Sequence, residues 1–131
     1  MATVLICEDD PAVARLLALT FGLEGHDAEV VADGTSAATR LDGPPADLAV
    51  LDVMLPGRDG LTVLRDLRSR EDWEGCRAIV LTALADDADV WRGWTSGADY
   101  YLTKPFDLDH LREVAARLLR GEPIAAEPTA G

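Results

Sequence analysis

Apolar residues follow two alternating patterns along this chain, short continuous runs and longer stretches with an apolar residue every three or four positions. Continuous apolar runs bounded by polar or turn-forming residues predict buried strands, and the wider spacing predicts helices that bury one face. Five runs predict strands, at residues 3–7, 27–31, 48–51, 78–81 and 100–102. Helical spacing follows each of them, at residues 11–24, 34–42, 60–68, 87–96 and 108–119. This alternation predicts an α/β domain with a doubly wound, five-stranded parallel sheet and right-handed crossovers.

Residues that typically begin or weaken helices support these element boundaries. Asp10 followed by Pro11 is typical of a helix start, because Asp caps the first turn and Pro needs no backbone donor there. Gly93 weakens the fourth predicted helix by about 1 kcal/mol relative to alanine. The domain is therefore expected to span residues 1–120. Residues 121–131 lack periodicity and are expected to be a disordered tail or a truncated linker.

Composition excludes several classes of protein. The chain has 131 residues and a formal net charge of −12. An acidic surface repels nucleic-acid phosphates and anionic lipid, so neither is an expected partner. With no 18-residue apolar run and no basic leader, a cytoplasmic protein is expected. Cys7 and Cys76 are expected to be buried, reduced thiols.

The stretch from Leu48 to Gly57 is the centre of the pattern. Four apolar residues lead into Asp52, and a Pro-Gly turn follows. Open α/β sheets bind their ligands at the carboxyl ends of parallel strands, which gives Asp52 a functional position. The alternative is an Asp that only caps the following turn.

Three of the other four predicted strands are followed by residues that would complete a reactive site. Glu8 and Asp9 follow the first strand, Thr82 follows the fourth, and Lys104 follows the fifth. At one sheet edge these acids would meet Asp52, and unit charges about 4 Å apart repel by roughly 4 kcal/mol at an effective dielectric near 20. Mg²⁺ suits such oxygen ligands, and a hydroxyl and a lysine suit a phosphoryl group. The set predicts a phosphoryl-transfer site with an acid as nucleophile.

Over residues 3 to about 120 the chain resembles the receiver domain of two-component response regulators. The resemblance rests on several motifs in a specific order and spacing: Glu8-Asp9, Leu51-Asp52-Val-Met-Leu-Pro-Gly57 with Asp59-Gly60, Thr82-Ala83, and Gly97-Ala-Asp-Tyr-Tyr-Leu-Thr-Lys104-Pro105-Phe106. It implies a flavodoxin-like (βα)5 fold with strand order 2-1-3-4-5. It also implies a signalling protein whose only catalysis is its own phosphorylation and dephosphorylation.

The resemblance assigns roles to the acids. Asp52 would accept a phosphoryl group from the histidine of a sensor histidine kinase. Asp9, Asp52 and the backbone carbonyl of Met54 would ligate Mg²⁺ (or Mn²⁺), and Glu8 would act through water.

It also assigns roles beyond the acids. Thr82 and Lys104 would hold the phosphoryl oxygens, with Lys104 preceding a cis Pro105. Tyr101 matches the aromatic residue that changes rotamer on activation. The fourth predicted helix, the fifth strand and the last helix would form the face that binds a downstream protein.

Two other functions are alternatives to the one that this resemblance implies. A phosphatase of the haloacid dehalogenase type needs a second Asp two residues after the nucleophile, where this chain has Met54. A flavodoxin would carry a Ser/Thr/Gly-rich phosphate loop after the first strand. The acids Glu8, Asp9 and Asp10 stand there and would repel the phosphate of FMN.

Several residues leave alternatives open. His26 and His110 are interpreted as surface histidines, and Trp73 is uninformative in its charged loop. Trp91 and Trp94 fit either core packing or a partner interface.

The motif from Ala98 to Tyr101, and Val114 on the last helix, depart from receivers that dimerise through charge pairs. A monomer or weak dimer is therefore expected. The chain is either a stand-alone receiver or a receiver cut from a multidomain transcriptional regulator.

Overall fold

Five parallel strands form one sheet in the computed structural model, which describes residues 1–83 and 97–122. The order across the sheet is β2-β1-β3-β4-β5, which confirms the predicted topology. The strands are β1 (Thr3–Cys7), β2 (Asp27–Val31), β3 (Leu48–Asp52), β4 (Arg77–Thr82) and β5 (Tyr100–Thr103). The register pairs Cys7 with Leu51, Asp52 with Leu81, and Thr82 with Thr103. The carboxyl ends of four strands therefore lie level at one edge.

The described residues form four α-helices and one short 3₁₀ helix. They are α1 (Pro11–Leu23), α2 (Gly34–Arg40), α3 (Gly60–Arg68), the 3₁₀ helix (Glu71–Trp73) and α4 (Leu108–Leu119). Each α-helix follows an Asp whose carboxylate accepts a backbone N–H of the first turn: Asp10, Asp33, Asp59 and Asp107. These caps explain why the predicted helix starts at residues 11, 34, 60 and 108 are confirmed. The helix predicted at residues 87–96, including Trp91, Gly93 and Trp94, lies outside the described residues.

Alternation along the strands supplies apolar side chains to both faces of the sheet. Every residue of β3 is buried, as expected for a central parallel strand. On one face the core includes Leu64 and Leu67 of α3, and on the other it includes Leu17 of α1 and Leu111 of α4. Both cysteines are buried free thiols, as predicted, and burial raises the pKa of each to about 12.

Helix α1 buries fewer of its apolar residues than their spacing suggests. Leu17 and Phe21 are buried, whereas Leu16, Leu19 and Leu23 are 45%, 60% and 88% exposed. A helix lying against a sheet buries only the stripe that faces it, so neighbouring apolar positions remain on the surface.

Trp73 has a clear packing role in the structure, which its charged neighbours in the sequence do not predict. It is fully buried, and its indole Nε1 donates a hydrogen bond to the carbonyl of Leu41 at 2.9 Å. The guanidinium of Arg40 lies 5.5 Å from the centroid of its ring. Trp73 therefore anchors the connection between α3 and β4 to the end of α2. No helix in the described parts of the chain is long and apolar enough to cross a membrane.

Candidate functional site

The carboxyl edge of the sheet brings together the polar residues predicted from the strand ends. Asp52 and Thr82 are the last residues of β3 and β4, and Glu8 and Lys104 directly follow β1 and β5. Backbone hydrogen bonds continue past the strand ends, from Lys104 N–H to the carbonyl of Thr82 at 2.7 Å and from Glu8 N–H to Val31 at 3.1 Å. The positions of these side chains are therefore set by the sheet itself.

Lys104 lies between two buried carboxylates. Its Nζ donates to Glu8 Oε1 at 2.7 Å and to Asp52 Oδ2 at 2.9 Å. Glu8 and Asp52 are only 1% and 3% exposed, so the ammonium group compensates charge that water reaches poorly. Burial acts to lower the pKa of Lys104, but the hydrogen bonds to Glu8 and Asp52 outweigh it, and the pKa lies above its ordinary value.

Glu8 is the acid most strongly affected by this environment. Its pKa is raised from 4.5 to about 7, first because the carboxyl group is buried and second because the Asp52 carboxylate lies beside it. The hydrogen bond from Lys104 and a weaker one from the Asp10 N–H at 3.3 Å act in the opposite direction. Near neutral pH, Glu8 is therefore poised between its neutral and charged forms in the metal-free protein.

The two oxygens of Asp52 have different partners. Oδ1 accepts a hydrogen bond from the backbone N–H of Met54 at 2.9 Å, and Oδ2 faces Lys104. Met54 is 60% exposed, and it contacts Asp52 through its backbone N–H. The carboxylate of Asp52 is thereby held in one orientation at the end of its strand.

Three carboxylates offer a place for a metal ion. Glu8, Asp9 and Asp52 each present an oxygen, and these atoms all lie within 4.8 Å of one another. Asp9 is exposed, which leaves one side of the group open to water. Hard oxygen donors with room for water are the coordination that Mg²⁺ prefers, so the donor set fits this ion.

The predicted site residues also include Thr82, Tyr101 and Pro105. Thr82 is fully buried, and Tyr101 is 5% exposed and packs in the core on the α3 side of the sheet. The Lys104–Pro105 peptide bond is cis. His110 is exposed as predicted, and its Nε2 lies 3.2 Å from the hydroxyl of Tyr100.

Arg68 stands out in the structure, although the sequence pattern does not mark it. Its guanidinium donates to the carbonyls of Gly97 at 2.9 Å and Cys76 at 2.5 Å, and to Asp99 Oδ2 at 2.8 Å. Asp99 Oδ2 also accepts the N–H of Ala78 at 2.8 Å. This network joins the end of α3 to the starts of β4 and β5, at the sheet edge opposite the acids. An Arg in the last turn of a helix is common, so the sequence pattern alone does not indicate this network.

Three comparisons place these features among known proteins. The family model described as the response regulator receiver domain matches residues 4–116. The transcriptional regulatory protein TcrA of Mycobacterium tuberculosis is 44% identical over 126 residues, which is 96% of this chain and 49% of TcrA. The chain thus spans about half the length of the curated relatives it matches.

Solved structures agree with the family model. The receiver domain of Francisella response regulator 1452 superposes with a TM-score of 0.84 and 32% identity, covering 92% of this chain and 98% of that one. The receiver domain of the Pseudomonas aeruginosa sensor histidine kinase PA1611, solved with a magnesium ion in its active-site cleft, gives a TM-score of 0.82 and 28% identity. That alignment covers 91% of this chain and 98% of the other. With its predicted topology, its acidic edge and a family match over most of its length, this chain belongs to the response regulator receiver domain family.

Proposed function

We propose that this domain accepts a phosphoryl group on Asp52 from the phosphohistidine of a sensor histidine kinase, as one step of a two-component phosphorelay. The observation that carries the proposal is the buried Asp52 carboxylate, with one oxygen held by Met54 N–H and the other 2.9 Å from Lys104. In the reaction the Asp52 oxygen bonds to phosphorus, the P–N bond breaks, and the electron pair returns to the histidine nitrogen. The product is an acyl phosphate.

The metal in this proposal is Mg²⁺, or Mn²⁺, which neutralises charge on the transferred group when bound. Asp9, Asp52 and the backbone carbonyl of Met54 are its proposed ligands, and Glu8 acts through water. The close approach of the three carboxylates supports this assignment. A bound cation nearby would favour the charged form of Glu8, and it would take the place of the proton that Glu8 holds near neutral pH without metal.

Lys104 and Thr82 are the proposed partners of the phosphoryl oxygens. Lys104 already lies within hydrogen-bond distance of Asp52, so it needs only a small movement to meet a new oxygen. Thr82 is the last residue of the neighbouring strand, and its hydroxyl is proposed to move toward the added group.

Signal output is proposed to pass from Thr82 to Tyr101. Tyr101 is buried beside β4, where a movement of Thr82 would change the space open to its ring. The downstream protein would then bind the face formed by β5, α4 and the helix predicted at residues 87–96. Thr82→Ala should weaken the conformational change that beryllofluoride induces in that face, and it should leave Mg²⁺ affinity unchanged. A change as large as in the wild-type protein would rule out the Thr82 hydroxyl as the group that transmits the signal.

Helix α1 is the proposed docking surface for the phosphodonor protein. It starts two residues after Asp9, and Leu16 and Leu19 are exposed beside an open cavity of about 460 Å³ that Pro11 and Arg15 also line. Leu19→Ser should slow phosphotransfer from a purified sensor kinase but not from acetyl phosphate. Equal slowing with both donors would argue against docking on α1.

Residues 1–120 are proposed to be the complete receiver unit, with 121–131 a tail or linker, of which 123–131 lie outside the described residues. Because TcrA is a transcriptional regulator about twice as long as the match, a DNA-binding effector domain elsewhere in the same protein is the favoured arrangement. A receiver that acts without an effector domain is the second possible arrangement. A cytoplasmic location belongs to the same proposal and rests on family membership.

Acetyl phosphate and Mg²⁺ test the central claim directly. Intact-mass analysis should show one added phosphate on the wild-type protein and none on Asp52→Asn. Asp59→Asn is the matched control, because it changes an exposed acid that follows Asp52 by seven positions and leaves a residue able to cap α3. Equal phosphate uptake by Asp52→Asn would refute the assignment.

A further inference from the structure

The loop that follows Asp52, residues 53–59, rests directly on the start of α2. The N–H of Gly34 donates to the carbonyl of Pro56 at 2.9 Å. A Cβ atom at position 34 would lie 1.8 Å from the carbonyl oxygen of Arg58 and 2.6 Å from its Cβ. Contacts below 3.0 Å do not occur for real Cβ atoms, so any side chain at position 34 requires the backbone of this loop to move.

The same loop is tied to the sheet and to α3 at its other end. The N–H of Gly60 donates to the carbonyl of Val53 at 3.0 Å, and a Cβ at position 60 would lie 2.1 Å from the Asp52 carbonyl oxygen. Met54 lies between these two attachments, and its N–H holds Asp52 Oδ1 at 2.9 Å. The position of the Met54 backbone therefore depends on both ends of the loop.

We propose that Gly34 is a positioning residue of the phosphoacceptor site. Its lack of a side chain lets residues 53–59 lie against α2, and this contact places the N–H and the carbonyl of Met54 relative to Asp52. The inference rests on the proposed function, in which Asp52 takes the phosphoryl group and the Met54 carbonyl binds the metal. In the sequence, Gly34 marks only a helix start, since its partner Arg58 lies far along the chain.

A conformational requirement does not explain glycine at this position. Gly34 is the first residue of α2 and lies outside the left-handed φ region, so alanine is compatible with its backbone. Alanine is the better helix former, so Gly34→Ala would be neutral or stabilising if no contact opposed it. The contact with Arg58 reverses that expectation. A catalytic group displaced by about 1 Å can lose up to about 100-fold in rate.

Gly34→Ala is compared with Gly22→Ala and Gly75→Ala, which are matched controls because a Cβ at either position meets nothing within 4 Å. Mg²⁺ affinity is measured by isothermal titration at a temperature where circular dichroism shows each variant folded. The Gly34 variant should bind Mg²⁺ at least about fivefold more weakly, with a shifted amide resonance for Met54, and the controls should stay within about twofold of wild type. Loss of fold stability alone would leave the dissociation constant of the folded protein unchanged.

A Gly34→Ala protein that binds Mg²⁺ like wild type and accepts phosphate at the wild-type rate would overturn the inference. If wild type binds Mg²⁺ but takes no phosphate on Asp52, the proposed function fails, and the Mg²⁺ comparison still decides the role of Gly34.

Should Gly34→Ala not fold, the same contact can be changed from the loop side. A Cβ at Gly57 would meet Thr35 Oγ1 at 3.1 Å, and Gly57 has φ +85°. Gly57→Ala should weaken Mg²⁺ binding through steric contact and backbone strain together. Adding Thr35→Ala removes only the steric part, so it should restore part of the affinity. No restoration would count against α2 as the support of the loop.

Discussion

Lys104 Nζ lies 2.7 Å from Glu8 Oε1, although 96 positions separate the two residues in the sequence. The pair exists because β1 and β5 both end at the same edge of the sheet, on either side of β3 and β4. In the metal-free protein Lys104 thus compensates the charge of Glu8 and Asp52.

Removing the ammonium group should leave the two acids without compensation. Lys104→Met is expected to lower the free energy of unfolding by up to about 3 kcal/mol, because an unpaired buried charge is costly. Urea denaturation with EDTA measures the loss, and Mg²⁺ should stabilise the variant more than wild type. Arg112→Met is the control, since it breaks an exposed ion pair with Glu24, 3.3 Å long, and should cost less than about 1 kcal/mol. Equal losses in the two variants would contradict this account of the site.

The raised pKa of Glu8 predicts a pH dependence of stability. The folded metal-free protein holds the Glu8 proton up to about pH 7, whereas the ordinary value is 4.5. Between these values the folded state binds more protons than the unfolded state. The stability that neutral Glu8 contributes is therefore complete below pH 4.5 and is lost as pH rises through about 7.

Comparison with Glu8→Gln isolates this contribution. From pH 5 to pH 8 the wild-type protein should lose up to about 3 kcal/mol relative to the variant, because other titrating groups are common to both. Urea unfolding in EDTA at several pH values gives the difference. Parallel pH profiles for the two proteins would show that Glu8 titrates normally.

Local sequence patterns predicted most of the fold and the residues of the candidate site. The strands and the Asp caps depend on neighbouring residues, so β1, β2 and α3 were predicted with the bounds that the structure has. The convergence of Glu8, Asp52 and Lys104 followed from topology, because parallel strands place their carboxyl ends at one edge.

Contacts between distant loops were not predictable in this way. Gly34 packs closely against Arg58, and the Arg68 guanidinium donates hydrogen bonds to Gly97 and Asp99. Both contacts join residues that no common sequence periodicity relates. Trp73 has charged neighbours in sequence, yet it is the one residue of its 3₁₀ helix that is buried.

Trp73→Phe tests how much the buried indole contributes to the free energy of unfolding. The change leaves the carbonyl of Leu41 without its 2.9 Å donor and removes part of a fully buried ring. Together the lost hydrogen bond and the space left behind should cost about 1–3 kcal/mol, measured by urea denaturation. Phosphate uptake from acetyl phosphate should not change, because Trp73 lies outside the acidic edge. A loss below about 0.5 kcal/mol would mean that the core closes around the smaller ring.

Arg68→Ala should destabilise the domain without changing its metal site. The guanidinium binds two carbonyls and the Asp99 carboxylate, and charged hydrogen bonds contribute about 1.5–3 kcal/mol to stability. Arg65→Ala on the same helix is the control, since that side chain is exposed, and it should change stability by less than about 0.5 kcal/mol. Mg²⁺ affinity should be equal in both variants, because the Arg68 network lies at the opposite edge of the sheet. Weaker Mg²⁺ binding in Arg68→Ala alone would reveal coupling between the two edges.

Mg²⁺ itself should stabilise the unphosphorylated fold by relieving repulsion among Glu8, Asp9 and Asp52. At 100 times its dissociation constant, an ion that binds only the folded state adds about 2.7 kcal/mol to the free energy of unfolding. Asp9→Asn should remove most of this increment, because Asp9 is the exposed member of the group and its loss leaves the other two acids compensated by Lys104. Asp42→Asn changes an exposed acid that follows α2 and pairs with Arg70, and this variant should keep the full increment. Thermal unfolding with and without Mg²⁺ measures all three proteins. If Mg²⁺ does not change the melting temperature of the wild-type protein, the metal assignment is wrong. If Asp9→Asn keeps the increment, Asp9 is not a ligand and the ion is held by Glu8 and Asp52 without it.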